Sequence, residues 1–159
     1  MPKISAKEYV VYSLSRQEYT RRKLAQRMRD RDYLAADIEE ALDWAEAKGY
    51  LNANRQLERA VQQLYYKQYG PKIFRHKLME KGFDDQLLRE MLPDMLAEYD
   101  FDRVALELVQ KSAKTIDWDA MDDTTRQRTY GKIIDKLARR GFAFDTINRA
   151  MREAGLSRR

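Results

Sequence analysis

Cysteine is absent from this sequence, and histidine occurs once, as His76. Without cysteine the chain cannot form a disulfide bond or a thiolate metal site. A lone histidine leaves little from which to build a metal centre or a catalytic triad, so we expect no metal and no cofactor. Phosphate-binding glycine loops, a nucleophile elbow and an HExxH motif are also missing. These absences argue against an enzyme.

Long apolar runs are missing as well. No stretch approaches the roughly 20 apolar residues that a membrane-spanning helix needs, and the N-terminal segment MPKISAKEYVVYSLSRQ lacks the apolar core of a secretory signal. We therefore expect no membrane contact and a cytoplasmic location. The 159 residues have a formal net charge of +5, a mild excess that by itself predicts no partner.

Glycine and proline are scarce, with 6 and 3 residues, and apolar side chains recur at helical spacing. The spacing predicts nine helices in three groups of three, which we call trios. The apolar stripes that define the nine helices begin with Val10, Val11 and Leu14, then Leu24 and Met28, then Leu34, Ile38 and Leu42, then Leu57, Val61 and Leu64, then Ile73, Phe74 and Leu78, then Leu87, Leu88 and Met91, then Val104, Leu108 and Val109, then Tyr130, Ile133 and Leu137, and last Ile147, Ala150 and Met151.

Residues that start and stop helices mark several boundaries. We predict that Ser15 or Gln17 opens the second helix and that Gly49 ends the third. Pro71 is expected in the first turn of a helix, where its missing N–H costs nothing. Pro93 must kink or end the sixth helix, and the sequence does not decide which.

The three second helices share a short motif. Each has a Lys-Leu pair, two variable residues and then a basic residue, which aligns Leu24 with Leu78 and Leu137; the later two continue as Gly-Phe. Repeated helical units of this kind stack on their neighbours. The sequence therefore predicts an all-α fold, an elongated tandem array of three three-helix repeats, with boundaries at 1–51, 52–99 and 100–159.

The second helix of every trio is basic, and its cations are the predicted partner-binding residues: Arg21, Arg22, Lys23, Arg27, Lys72, Arg75, Lys77, Lys81, Lys132, Lys136, Arg139 and Arg140. A basic stripe along stacked trios recruits polyanions, with an affinity that falls with salt. It suits an acidic protein groove equally well. In the other interpretation these side chains pair with acidic helices, such as the one from Asp37 to Glu46, and only keep the chain soluble.

Weaker features are expected to be structural. Tyr65, Tyr66 and Tyr69 could stack on bases, but we expect them, like Trp44 and Trp118, to pack between helices. His76 is expected to face solvent. The acidic stretch Asp117, Asp119, Asp122 and Asp123 lacks the spacing of a calcium loop, so we interpret it as a solvated loop that can cap a helix.

Two turns resemble a known family. Gly49-Tyr50-Leu51 precedes the middle trio, Tyr69-Gly70-Pro71 opens its second helix, and Lys81-Gly82-Phe83 closes that helix. With this order the chain resembles the RecX family over nearly its whole length, most specifically from Gly49 to Phe83. The family usually follows Gly-Tyr-Leu with two acidic residues and an aromatic, where this chain has Asn52-Ala53-Asn54 and Gln56-Leu57. Asn52 can still cap the helix, but a partner contact made by those acids would be altered or missing.

The resemblance implies a cytoplasmic bacterial protein of three tandem three-helix repeats that performs no catalysis. It implies binding to RecA–DNA filaments and modulation, mostly inhibition, of recombinase, ATPase and co-protease activities, which affects recombinational repair and the SOS response. The basic helices would then face acidic RecA surface or bound single- or double-stranded DNA, and we expect a monomer. Two alternatives stay open: a sequence-independent DNA-binding helical protein, since such trios resemble helix-turn-helix modules, and an adaptor for another partner.

Overall fold

Helices account for most of the residues that the structure describes. The structure, a computed structural model, describes residues 4–157, and these form nine α-helices, one 3-10 helix and no β-strand. The α-helices are α1 Ala6–Arg16, α2 Arg21–Asp30, α3 Ala35–Ala47, α4 Ala53–Tyr66, α5 Phe74–Glu80, α6 Asp85–Ala97, α7 Phe101–Ala113, α8 Asp123–Arg139 and α9 Phe144–Glu153. The 3-10 helix, Pro71–Ile73, directly precedes α5. The predicted all-α fold is confirmed.

The described residues divide into two compact units. Unit 1 comprises residues 4–60 and 77–91, and unit 2 comprises residues 61–76 and 92–157. This division into two units does not test the predicted repeat boundaries after residues 51 and 99, so those boundaries stay predictions.

The first trio is a helical bundle inside unit 1. Helices α1, α2 and α3 contact one another, and their shared core contains the fully buried side chains of Val10, Leu24, Ile38 and Leu42. Burial of such aliphatic side chains stabilises a fold by about 1.5–3 kcal/mol each. Two residues of the predicted stripes are exceptions: Val11 on α1 is 44% exposed, and Leu34 stands at the N-cap position of α3 and is 70% exposed.

The third trio repeats this arrangement inside unit 2. Helices α7, α8 and α9 contact one another, around a core that includes Val109, Leu137, Ile147 and Met151. The apolar stripes that the sequence predicted for this trio are therefore the buried faces of its helices. Trp118 packs against the same core from the loop before α8, as the sequence predicted, and Trp44 packs in the same way on the first core.

The start of α2 differs from the prediction. Helix α1 continues through Ser15 and ends at Arg16, with Gln17 as its C-cap. Helix α2 begins instead after Thr20, whose hydroxyl accepts a hydrogen bond from the backbone N–H of Lys23 at 3.2 Å. The prediction that Ser15 or Gln17 opens this helix is wrong because Thr20 supplies the cap one turn later.

Pro93 does not end its helix, because α6 continues through it to Ala97. Pro71 stands at the first position of the 3-10 helix, where the missing N–H was predicted to be tolerated. Gly49 follows α3 with a φ of 79°, so the predicted glycine stop is also confirmed.

The alignment of the second helices needs a correction. Each of them ends in a turn in which a backbone N–H donates to the carbonyl five residues earlier: Phe83 to Leu78, Phe142 to Leu137, and Tyr33 to Met28. The residue structurally equivalent to the two leucines is therefore Met28, one helical turn after Leu24. The Lys-Leu motif misaligned the first trio because Asp32, with a φ of 63°, occupies the place that glycine has in the other two.

Candidate partner-binding surfaces of the basic helices

Two of the predicted cations on α2 are available to a partner. Arg22 and Lys23 are exposed, and neither side chain forms an ion pair within residues 4–157. The cap at Thr20 fixes where α2 begins. Leu24 and Met28 are buried on the side of α2 that faces away from Arg22 and Lys23. These two residues meet the first requirement of a charged contact surface.

Arg21 has a different environment from its neighbours. Its guanidinium forms ion pairs with Glu39 at 2.8 Å, Asp43 at 2.8 Å and Glu46 at 2.9 Å, all on α3. Partial burial lowers the pKa of Arg21, but the hydrogen bonds and charges of the three carboxylates outweigh this effect and raise it. Arg21 therefore joins α2 to α3, which is the intramolecular pairing that the sequence left open for the basic helices.

A groove of about 560 Å³ lies beside the exposed face of α2 in unit 1. It is lined by Tyr19, Arg22, Lys23, Gln26, Arg27, Arg29, Met79, Glu80 and Gly82. Gly82 closes one side, since a Cβ atom there would lie 2.5 Å from the Thr20 hydroxyl oxygen and 2.7 Å from the Cγ of Lys23. The groove brings Arg22, Lys23 and Arg27 together, three of the twelve predicted residues.

Arg27 is held by aromatic side chains within this groove. Its guanidinium lies over the ring of Tyr19, 5.0 Å from the centroid. The nearby hydroxyl of Tyr9, followed by the charges of Tyr9 and Tyr19, raises the pKa of Arg27. The arrangement fixes one cation against the wall of the groove.

The remaining predicted residues are not among those that line the groove. Lys77 and Lys81 are half-buried and belong to unit 1. Six of the predicted cations belong to unit 2. Of these, Arg140 is half-buried and the other five are exposed: Lys72, Arg75, Lys132, Lys136 and Arg139. A continuous basic stripe through all three trios stays a prediction.

Arg140 forms hydrogen bonds with the Tyr-Gly-Pro turn and the residues just before it, all within unit 2. Its guanidinium donates to the carbonyl oxygens of Lys67 and Gln68, the latter at 3.0 Å, and lies 4.6 Å from the ring centroid of Tyr69. The Gly70 N–H donates to the Arg140 carbonyl at 2.7 Å. This side chain stabilises the Tyr-Gly-Pro turn, so its predicted role in partner binding competes with a structural one.

The tyrosine segment has split roles. Tyr65 packs against Tyr99, with ring centroids 4.5 Å apart, and against Phe101 at 5.7 Å. Tyr66 is 71% exposed. The expected packing between helices therefore holds for Tyr65. The ring of Tyr69 is in contact with the guanidinium of Arg140. His76 is exposed, as predicted.

Sequence reasoning did not select all the residues that line the groove. Arg29 lies seven residues after Arg22 on α2, two helical turns along the same face, so helical spacing could have identified it. Met79 offered no comparable signal, because its exposure depends on how residues 77–91 pack within unit 1.

Acidic residues do not gather into a metal site within residues 4–157. Asp122 instead caps α8, as the sequence allowed, by accepting a hydrogen bond from the Thr125 N–H at 2.6 Å. None of the helices in the described part of the chain is long and apolar enough to cross a membrane.

Comparisons with known proteins agree with this arrangement. Residues 6–44, which cover α1, α2 and most of α3, match the family model described as RecX, first three-helix domain. A protein of Vibrio campbellii named Regulatory protein RecX is 28% identical over 151 residues, which cover 94% of this chain and 92% of that protein. A second of the same name, from Haemophilus ducreyi, is 28% identical over 118 residues, covering 74% and 76%.

Solved structures show the same fold. The crystal structure of RecX from Lactobacillus salivarius superposes with a TM-score of 0.79 at 22% identity and covers 96% of both chains. A crystal structure described as regulatory protein RecX gives a TM-score of 0.72 at 16% identity, over 92% of this chain and 70% of that one. The fold therefore defines an all-helical protein of three-helix repeats. Residues 6–44 match the RecX family model, and relatives named Regulatory protein RecX align over most of the chain, so the chain is similar to RecX proteins.

Proposed function

We propose that this protein regulates the RecA recombinase by binding RecA filaments assembled on DNA. Bound to the filament, it modulates, and mostly inhibits, the recombinase, ATPase and co-protease activities, and so affects recombinational repair and the SOS response. The observation that supports this proposal most strongly is the match to proteins named Regulatory protein RecX over 94% of this chain. The protein acts by occupying the filament rather than by catalysis, and acts in the cytoplasm.

The contact is assigned to the cations of the basic second helices. Arg22, Lys23 and Arg27 share the groove of unit 1, and Lys132 and Lys136 are exposed on α8 in unit 2. A filament of protein and nucleic acid offers both carboxylates and phosphates to such side chains. Arg21 and Arg140 contribute mainly to the fold, because their guanidinium groups have intramolecular partners.

Cosedimentation tests the proposal. The full chain is centrifuged with RecA–ATP–single-stranded DNA filaments and, separately, with the DNA alone, each at two salt concentrations. We expect the chain to pellet with filaments, to pellet far less with DNA alone, and to be released as salt rises, because exposed charges are screened within about 10 Å at 0.1 M salt. Equal pelleting with DNA alone would favour the alternative of a sequence-independent DNA-binding protein. No pelleting with either would contradict both functions.

Charge reversal tests the assigned contact. The triple variant Arg22→Glu, Lys132→Glu and Lys136→Glu is expected to weaken filament binding by about tenfold or more, which corresponds to about 1.4 kcal/mol. A matched control reverses Lys111, Lys114 and Arg152, exposed cations of unit 2 outside the basic second helices. If both triple variants lose affinity equally, net charge and not the basic helices determines binding.

A further inference from the structure

The groove beside α2 has a strongly one-sided charge. Its lining contains four cationic side chains, from Arg22, Lys23, Arg27 and Arg29, and one carboxylate, from Glu80. Arg22 and Lys23 are exposed and form no ion pair within the described part of the chain, while Arg29 donates only to the Gln26 side chain, at 2.9 Å. Since like charges close together raise the free energy of the empty groove, an anionic ligand would be stabilised there.

Arg27 presents one cation of the groove lining in a fixed position. Because the guanidinium already lies on the Tyr19 ring, it is held in place before any ligand arrives.

The lining favours a peptide over a nucleic acid strand. Proteins that bind single strands combine cations with open aromatic faces on which bases stack. Tyr19 supplies the one aromatic ring of the groove lining, and the guanidinium of Arg27 covers its face. The apolar surface on offer is Met79, which is 38% exposed, and a methionine adapts to varied aliphatic and aromatic side chains.

We propose that this groove binds an acidic peptide segment of a partner protein. The carboxylates lie against Arg22, Lys23 and Arg29, beside the guanidinium of Arg27, and an apolar side chain of the segment packs against Met79. A volume of about 560 Å³ falls in the range of sites for short ligands. This inference rests on the proposed function for the identity of the partner, since the segment then belongs to the protein component of the filament.

Fluorescence anisotropy with a defined probe tests the inference. The probe is a short labelled peptide of aspartate and glutamate residues around a single leucine, titrated with the full chain at low salt. The double variant Arg22→Gln and Lys23→Gln is expected to bind it about tenfold more weakly. The matched control Lys111→Gln and Lys114→Gln removes the same charge elsewhere and is expected to bind as the unaltered chain does.

Two further binding measurements distinguish the contribution of the charges from that of the apolar contact. A peptide with asparagine and glutamine in place of the acids is expected not to bind, because the cations then lack their partners. Met79→Ala is expected to weaken binding of the leucine peptide but not of the same peptide with alanine in place of leucine. Circular dichroism of each variant shows whether its helices are intact.

Three results would overturn the inference: no binding of the acidic peptide at low salt, equal loss in the groove variant and the control, or an oligothymidylate that binds more tightly through the same two residues. Filament cosedimentation distinguishes this failure from that of the proposed function. If the chain binds filaments but not the peptide, the inference fails and the function stands. If it binds the peptide through the groove but never filaments, the function fails, and the acidic-segment site stands without that partner.

Discussion

Arg21 and Arg22 are neighbours on α2 with the same guanidinium group, yet their surroundings differ. Arg21 is enclosed by Glu39, Asp43 and Glu46 of α3, with a side chain 31% exposed. Arg22 is exposed at the rim of the groove, with no ion pair in the described residues. The sequence placed both in one basic patch, because it could not show which face of α2 meets the acidic helix.

Neutralising Arg21 therefore affects stability more than neutralising Arg22. Arg21→Gln leaves three carboxylates near one another without their shared cation, and we expect a loss of about 1–2 kcal/mol in the free energy of unfolding, a value limited by solvent screening of the exposed acids. Urea denaturation at low salt measures this. Arg22→Gln is the matched control and is expected to stay within about 0.5 kcal/mol of the unaltered chain. Equal losses in the two variants would contradict the assignment of Arg21 to the fold.

Asp122 gives a residue-scale prediction on pH. The backbone N–H of Thr125, then its hydroxyl, hydrogen-bond the carboxylate and lower the pKa of Asp122 below its ordinary value. A carboxyl whose pKa is lowered by folding stabilises the fold above its unfolded-state pKa and loses that contribution as the pH falls through the folded-state value. We expect Asp122→Ala to lower Tm near neutral pH, and the difference from the unaltered chain to shrink in acid.

Two companions to Asp122→Ala make the test specific. Asp119 lies in the same loop, is exposed and caps no helix, so Asp119→Ala is expected to leave Tm unchanged. Asp122→Asn retains a cap without a titrating carboxyl, so its Tm is expected to depend less on pH in acid than that of the unaltered chain. Thermal scans monitored by circular dichroism give both quantities, and a constant Tm difference between Asp122→Ala and the unaltered chain down to strong acid would contradict the cap's charge dependence.

At the scale of elements, the Tyr-Gly-Pro turn requires glycine because the backbone of Gly141 and Phe142 lies close to Gly70. A Cβ atom on Gly70 would lie 2.3 Å from the carbonyl carbon of Gly141 and 2.5 Å from the backbone nitrogen of Phe142. The Lys72 N–H also donates to the Gly141 carbonyl at 3.0 Å. The Tyr-Gly-Pro motif therefore forms the turn before α5, and this turn packs against the turn after α8.

Gly70→Ala is expected to destabilise the protein by about 1–3 kcal/mol, since backbone atoms must move to admit a methyl group. The contrast is Gly131 within α8, where a Cβ atom would meet nothing within 4 Å. Gly131→Ala is expected to stabilise the chain by about 0.5–1 kcal/mol through helix propensity. Chemical denaturation of the two variants measures both signs; a neutral Gly70→Ala would mean that the turn is not packed as described.

Element boundaries could be predicted wherever a residue type dictates its own conformation. Gly49 and Pro71 behave as their backbone preferences require. The register of the first trio could not be predicted, because Asp32 adopts a left-handed conformation that the sequence pattern assigned to glycine. The effect of Pro93 could not be decided from the sequence either, and in the structure α6 continues past it.

At the scale of the whole molecule, the fold follows from hydrophobic spacing and the partner does not. Apolar residues at helical intervals predicted the helices of α1 to α3 and α7 to α9, and these pack as two trios. The twelve predicted cations could be located on helices from sequence, but charge alone does not tell an ion pair with a neighbouring helix from a free contact surface. Arg21 and Arg22 show both outcomes within one turn.

We propose that the chain regulates RecA through its basic second helices. The most direct test of this proposal is ATP hydrolysis by RecA–single-stranded DNA filaments, titrated with the unaltered chain, with the variant Arg22→Glu, Lys132→Glu and Lys136→Glu, and with the control variant of Lys111, Lys114 and Arg152. We predict that the unaltered chain and the control lower the rate of hydrolysis and that the basic-helix variant needs about tenfold more protein for the same effect. A rate that the unaltered chain leaves unchanged at saturation, or a basic-helix variant as effective as the control, would contradict the claim.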